Sequence, residues 1–80
     1  MTALPTEKSV ISDPPFEPVY EVIGNLDGQP IFLGRMVRNP VRGGFSASTD
    51  VDWWPRSWRD GVWKPTEERV IRWMQELKGL

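Results

Sequence analysis

Tryptophan and arginine are concentrated in one short segment of this 80-residue chain. Four of its five tryptophans lie within residues 53–63, and Arg56 and Arg59 lie among them. Both residue types are enriched at the energetic centres of protein interfaces, because tryptophan buries a large rigid surface and arginine carries several hydrogen-bond donors. The chemistry that this segment predicts is therefore noncovalent binding. The side chains we expect to form a protein-binding surface are Trp53, Arg56, Trp58, Arg59, Arg38 and Arg42.

The same tryptophans could instead build the core. A chain of this length buries only about 60% of the surface that its unfolded form exposes. Each buried large aromatic side chain therefore contributes a large share of its free energy of unfolding. We expect Trp73 and two or three tryptophans of the cluster to be buried, with one or two left partly exposed. The question is which of Trp53 and Trp58 stays at the surface.

Residues suited to acid–base, nucleophilic or metal chemistry are scarce. The chain contains no cysteine and no histidine, which excludes thiol catalysis, thiolate metal sites and imidazole proton transfer. The closest acidic pair, Asp50 and Asp52, supplies too few oxygens for calcium and is better explained as a cap of the following turn or a partner of an arginine. No phosphate-binding loop or nucleophile motif is present. The sequence predicts a protein that is not an enzyme and needs no metal or cofactor.

Charge is unevenly distributed along the chain, whose formal net charge is −1. Residues 1–34 carry one lysine and five acids, whereas residues 35–80 carry nine basic and six acidic residues, so the two parts have net charges of −4 and +3. Such a chain can neutralise its own halves or offer a basic face to an acidic partner. We favour internal neutralisation.

Binding to nucleic acid is the alternative function. Arginines interleaved with aromatic rings are typical of surfaces that hold single strands, but the sequence pI of about 5.3 is low for such proteins. The residues that would form this surface are Arg35, Arg38, Arg42, Arg56, Arg59, Phe45, Trp54 and Trp58. A protein partner fits the composition better, because interface centres are rich in tryptophan and arginine and poor in lysine.

Small domains without catalytic groups commonly act by occluding a site on a larger protein or nucleoprotein machine, as phage-borne inhibitors such as anti-CRISPR proteins do. We expect an inhibitor of this kind on that general ground alone, because no residue pattern in the chain identifies a family. No apolar run approaches the roughly 20 residues of a membrane span, and the first ten residues lack the apolar stretch of a signal peptide. We therefore expect a cytoplasmic protein without membrane contact.

The elements that must position these residues begin with an extended arm. Residues 1–18 include Pro5, Pro14, Pro15 and Pro18, a composition typical of extended or polyproline-like chain. Residues 19–80 predict a single small domain.

Two runs rich in β-branched and aromatic residues, 19–23 and 31–37, predict a β-hairpin. Residues 25–28 suit a type I turn that ends in a left-handed glycine, and this turn places Tyr20 opposite Gly34. The resulting core face consists of Tyr20, Val22, Phe32 and Met36.

On the opposite face of the hairpin, Glu21 and Arg35 are close enough for a diagonal ion pair. Residues 45–48 alternate in polarity and predict a third strand. The sheet is therefore predicted to be a three-stranded antiparallel meander.

Two helical segments complete the prediction. Pro55 and Gly61 would begin and end a single helical turn that places Trp54 and Trp58 on one face. Residues 65–78 predict an amphipathic helix that packs on one face of the sheet, which gives an α+β fold. Its predicted buried stripe is Val70, Ile71, Trp73, Met74 and Leu77, and its predicted outer face is Arg69, Arg72, Gln75 and Glu76.

Overall fold

The computed structural model describes residues 6–12 and 18–80. It confirms an α+β fold with an antiparallel sheet and one C-terminal helix. The sheet has five strands, each paired with its neighbours along the chain, so the prediction of three strands is wrong. The elements are β1 (Thr6–Ser12), β2 (Val19–Leu26), β3 (Gln29–Arg38), β4 (Phe45–Ser48), β5 (Val62–Lys64) and α1 (Glu67–Leu77).

The two additional strands lie at the edges of the sheet. β1 falls within the predicted N-terminal arm and pairs with β2. β5 pairs with β4 over only three residues, too few for a periodic sequence signal. Pro5, Pro14 and Pro15 of the predicted arm lie outside the described residues. Within the described part of the chain, no helix is both long and apolar enough to cross a membrane.

The turn between β2 and β3 is tighter than predicted. Leu26 pairs with Gln29, so that only Asp27 and Gly28 form the loop. Both have positive φ, 52° and 82°, as a type I′ turn requires, and Asp-Gly is a favoured sequence for that turn. The side chain of Asn25 accepts a hydrogen bond from the amide of Gly28 at 2.9 Å. The predicted type I turn with a bulge at Gly28 is therefore wrong.

A β-bulge changes the predicted register of this hairpin. Leu33 has no cross-strand partner, so Val22 faces Gly34 and Tyr20 faces Met36. Phe32, on the turn side of the bulge, pairs with Ile23 because the turn is tighter than predicted, and it is therefore not part of the core face. The absence of a side chain at Gly34 allows α1 to lie close to the sheet, because an added Cβ would be only 2.7 Å from Cε of Met74.

One core lies between the sheet and α1. Val70 and Met74 of the helix are fully buried, and Ile71 and Trp73 pack against them at the margin. The sheet contributes Val22, Leu33, Met36, Phe45 and Ala47.

The helix face differs from the prediction at two positions. Leu77 is 58% exposed whereas Gln75 is only 5% exposed. The end of the chain explains part of this difference. Gly79 takes a left-handed conformation, and the amide of Leu80 donates to the carbonyl of Gln75 at 2.9 Å. This helix-ending motif turns Leu80 back onto the core, where it packs in place of Leu77.

None of the five tryptophans belongs to the fully buried core. Trp53, Trp58, Trp63 and Trp73 are half-buried, and Trp54 is exposed. Trp73 packs against the core, but the expectation that two or three tryptophans of the cluster would also be buried is wrong. The buried volume is supplied by aliphatic side chains, methionines and Phe45.

The second face of the sheet is covered by residues 49–61, which we call the tryptophan loop. The loop consists of turns and bends and contains no helix, so the predicted helical turn is wrong. Strand alternation places Arg35 and Ser46 on this face, and both donate hydrogen bonds to loop carbonyls. Val19 and Val37, which pair with each other on the same face, are fully buried, and so is Pro55 of the loop.

Candidate interaction surface

A single arginine attaches the tryptophan loop to the sheet. Nη1 of Arg35 donates to the carbonyls of Val51 and Trp53 at 2.9 and 2.8 Å. Its Nη2 lies 3.8 Å from a carboxylate oxygen of Glu21, which is directly opposite on β2 and not diagonal as predicted. The side chain is only 17% exposed. Hydrogen bonds from a charged donor are stronger than neutral ones, so this contact holds the start of the loop firmly.

The same guanidinium also contacts two aromatic rings. Cζ of Arg35 lies 5.0 Å from the centre of the Phe32 ring and 5.6 Å from that of Trp54. Among the described residues, its Nε is the one buried side-chain nitrogen or oxygen without a hydrogen-bond partner. An unsatisfied buried donor costs about 1–3 kcal/mol, and stacking of a guanidinium on aromatic rings offsets a cost of this size.

The first part of the loop is organised by Asp50. Its carbonyl accepts from the amide of Trp53 at 3.1 Å, and its carboxylate accepts from the amide of Asp52 at 2.9 Å. The hydroxyl of Ser48 accepts from the amide of Asp50 at 3.1 Å. Asp50 therefore caps a turn, the structural role preferred for this acidic pair.

The second part of the loop is also held by short-range hydrogen bonds. The carboxylate of Asp60 accepts from the amide of Arg56 at 2.7 Å, and the hydroxyl of Ser57 accepts from the amide of Arg59 at 3.1 Å. The hydroxyl of Ser46 on β4 donates to the carbonyl of Trp58. Bonded to the sheet near both ends and internally, the loop is arranged before any partner binds.

The most prominent side chain that this loop displays is Trp54. It is 49% exposed, and Val51, which belongs to the same Arg35-anchored turn, is 64% exposed. Trp53 and Trp58 are both half-buried. From the sequence we expect Trp53 or Trp58 to be the tryptophan that stays at the surface. This prediction is wrong, because Trp54 is the exposed tryptophan of the loop.

The arginines of the predicted surface fall into two groups. Arg56 and Arg59 are exposed on the tryptophan loop, where Cζ of Arg59 lies 4.8 Å from the centre of the Trp58 ring. Arg38 and Arg42 instead stack on rings outside the loop, on Phe45 at 5.6 Å and on Trp63 at 3.7 Å.

The predicted protein-binding surface does not include Trp54 and Arg35, which the structure places at the centre of this candidate surface. Trp54 was assigned to the same helical face as Trp58, and Arg35 was considered only as an ion-pair partner of Glu21 and as one arginine of a nucleic-acid surface. The available signal was the predicted ion pair with Glu21, which already placed Arg35 on the face away from the helix.

The side chains that the tryptophan loop exposes are suited to noncovalent binding, and few of them are suited to catalysis. An exposed indole, a neighbouring valine and two exposed guanidiniums offer apolar surface and hydrogen-bond donors. Across residues 6–12 and 18–80, no three acidic side chains lie together in a way that could hold a metal ion.

Comparison with known proteins leaves the function to be inferred from this chain itself. No protein-family model, curated protein or solved structure matches it.

Proposed function

We propose that the protein is a non-enzymatic protein-binding module and that the tryptophan loop is its interface. The observation that carries this proposal is the half-exposed indole of Trp54 on a loop that Arg35 bonds to the sheet. A large apolar side chain at the surface costs solubility, and its retention on an ordered loop is typical of an interface anchor.

The ordering of the loop favours tight binding. A partner that receives Trp54 does not have to order the backbone around it, because the hydrogen bonds of Arg35 and Asp50 already do so. Rigid presentation reduces the entropy lost on association. Arg56 and Arg59, both exposed, would form the polar rim around the indole.

The proposed mode of action is occlusion. A domain that binds through one exposed anchor and its rim can inhibit a larger protein or nucleoprotein machine by covering a functional site on it, as phage-type inhibitors do. The composition supports this mode, because the chain lacks cysteine and histidine, the side chains most often used for catalysis near neutral pH.

Direct binding of nucleic acid through the tryptophan loop has less support. Stacking of bases needs free aromatic faces, whereas Arg35 and Arg59 lie over the rings of Trp54 and Trp58. A shift in tryptophan emission on addition of single-stranded or duplex nucleic acid, with affinity that falls steeply with salt, would favour it instead.

The test of the proposed interface starts with capture of a partner by the immobilised full chain from a lysate of the source organism. The purified partner is then titrated with the protein and its Trp54→Ala variant. Loss of a central tryptophan should weaken binding at least about 30-fold, the equivalent of a 2 kcal/mol hot spot.

The matched control is Leu77→Ala. Leu77 is a similarly exposed apolar residue on α1, across the sheet from the tryptophan loop, and its loss should change the affinity less than about twofold. Unchanged partner affinity in Trp54→Ala, with the fold intact by circular dichroism, would place the interface elsewhere.

A further inference from the structure

A second surface lies beside α1, at the edge of the sheet that β5 forms. An open groove of ≈ 480 Å³ runs between β5 and the outer flank of the helix. Three basic side chains, two tryptophans and one acid are among the residues that line it: Lys64, Arg69, Arg72, Trp63, Trp73 and Glu76. Its charged groups sum to +2 in a chain whose net charge is −1.

Two cations lie over the tryptophans of the groove: Lys64, which lines it, and Arg42, which does not. Nζ of Lys64 lies 5.3 Å from the centre of the Trp73 ring, and Cζ of Arg42 lies 3.7 Å from that of Trp63. The indole N–H of Trp63 donates to the carbonyl of Gly43 at 2.7 Å, which fixes that ring. Cations stacked on fixed rings lose less freedom when an anion binds.

We infer that this groove binds a short acidic segment of a protein partner. Arg69 and Arg72 lie three residues apart on one helix flank, so their side chains can reach neighbouring carboxylates of one peptide. Arginine pairs with carboxylates through two parallel hydrogen bonds, and Lys64 adds a third positive charge on β5. The groove is thus complementary in charge to a run of aspartates or glutamates.

Two observations favour an acidic peptide over a single-stranded nucleic acid. The tryptophans of the groove already carry Arg42 and Lys64 over their rings, which leaves less aromatic surface for bases. Glu76 lines the groove, and Glu68 lies 3.5 Å from Arg72. These acids would repel a long polyanion, whereas a short peptide can avoid them.

The probe is a fluorescein-labelled polyglutamate peptide of about four residues, short enough to span Arg69 and Arg72, titrated with the full chain in about 20 mM salt, where screening is weak. Its anisotropy should saturate, and the affinity should fall on addition of about 300 mM salt. The absence of saturable binding at low salt would overturn the inference.

The decisive variants are two double substitutions with the same change in net charge. Arg69→Ala with Arg72→Ala should weaken peptide binding at least about fivefold, because two exposed ion pairs are lost. Arg56→Ala with Arg59→Ala, on the tryptophan loop, should leave the affinity within about twofold. Equal losses in the two variants would show attraction by net charge alone and would contradict the inference.

Two further titrations separate this groove from its alternatives. An oligothymidine of the same charge should bind more weakly than the peptide; tighter binding that depends on Arg69 and Arg72 would identify a nucleic-acid groove instead. Trp54→Ala should leave peptide affinity unchanged, so that the groove and the tryptophan-loop interface can each fail without the other.

Discussion

At the scale of single residues, Arg35 connects the sheet to the candidate interface. One guanidinium bonds two loop carbonyls, pairs with Glu21 and contacts the rings of Phe32 and Trp54. These contacts determine both the path of the loop and the position of its exposed indole. The function proposed for Trp54 therefore depends on a residue that would not itself be central to the interface.

Replacement of Arg35 by alanine should destabilise the protein by about 2 kcal/mol or more, because two charge-assisted hydrogen bonds are lost from a mostly buried side chain. Urea unfolding followed by circular dichroism measures this change. Arg56→Ala is the control, since its side chain is exposed, and its effect should stay within about 0.5 kcal/mol. A loss at Arg35 no larger than that of the control would mean that the loop is held by other contacts.

The exposure of each tryptophan could not be predicted from residue types alone. Trp53, Trp54 and Trp58 are the same residue type and lie close together in the chain, yet they differ in exposure. The path of the loop is fixed by hydrogen bonds that Arg35 and Ser46, both distant in sequence, donate to its carbonyls. Which cation lies over which ring is equally a result of tertiary structure. The sequence did indicate that arginine and tryptophan would lie close together in this segment, as Arg59 and Trp58 do.

At the scale of elements, α1 was the most predictable part of the fold. Proline, threonine and two acids precede a strong apolar repeat, and these signals indicated the start of the helix to within two residues. The side chain of Thr66 accepts from the amide of Arg69 at 3.2 Å and thereby caps the helix.

Removal of the Thr66 hydroxyl, which caps α1, should destabilise the protein. Thr66→Ala should lower the free energy of unfolding by about 1 kcal/mol, because a helix N–H loses its acceptor. Thr66→Ser keeps the hydroxyl and should retain most of the stability. Thermal or urea unfolding of the two variants checks this, and equal stabilities would show that the hydroxyl does not contribute as a cap.

The strands were less predictable than the helix for two physical reasons. A bulge at Leu33 shifts the register by one residue, and no local pattern marks an unpaired residue inside an apolar run. β5 is only three residues long, and its pairing with β4 is a long-range contact that local propensity does not encode. The Asp27-Gly28 pair is a favoured sequence for the type I′ turn observed, but our sequence analysis predicts a type I turn there instead.

At the scale of the whole molecule, the sheet is covered by a helix on one side and by a loop on the other. Val19 and Val37 are fully buried on the face that the tryptophan loop covers, and Pro55 of the loop is fully buried as well. The loop is thus both a structural layer and the surface we propose for binding. This double role explains why the cluster could be interpreted from sequence either as core or as interface.

Some of the charges that make the chain asymmetric pair with each other within the fold. Among the described residues, Glu21 and Arg35, 3.8 Å apart, pair an acid of residues 1–34 with a base of residues 35–80, whereas Lys8 and Glu67, 2.7 Å apart, pair in the opposite sense. Lys64, Arg69 and Arg72 lie together at the groove, where Glu76 supplies the opposing charge among the lining residues. The expected internal neutralisation is seen at Glu21 and Arg35, and we propose that the basic surface at the groove serves a partner.

Hydrogen–deuterium exchange of the full chain, alone and in complex with its captured partner, tests the central claim most directly. We predict that the largest slowing of amide exchange on binding falls within residues 51–59, around Trp54, and that Trp54→Ala abolishes it. Slowing confined to other elements, with the tryptophan loop unchanged, would contradict the claim that this loop is the interface.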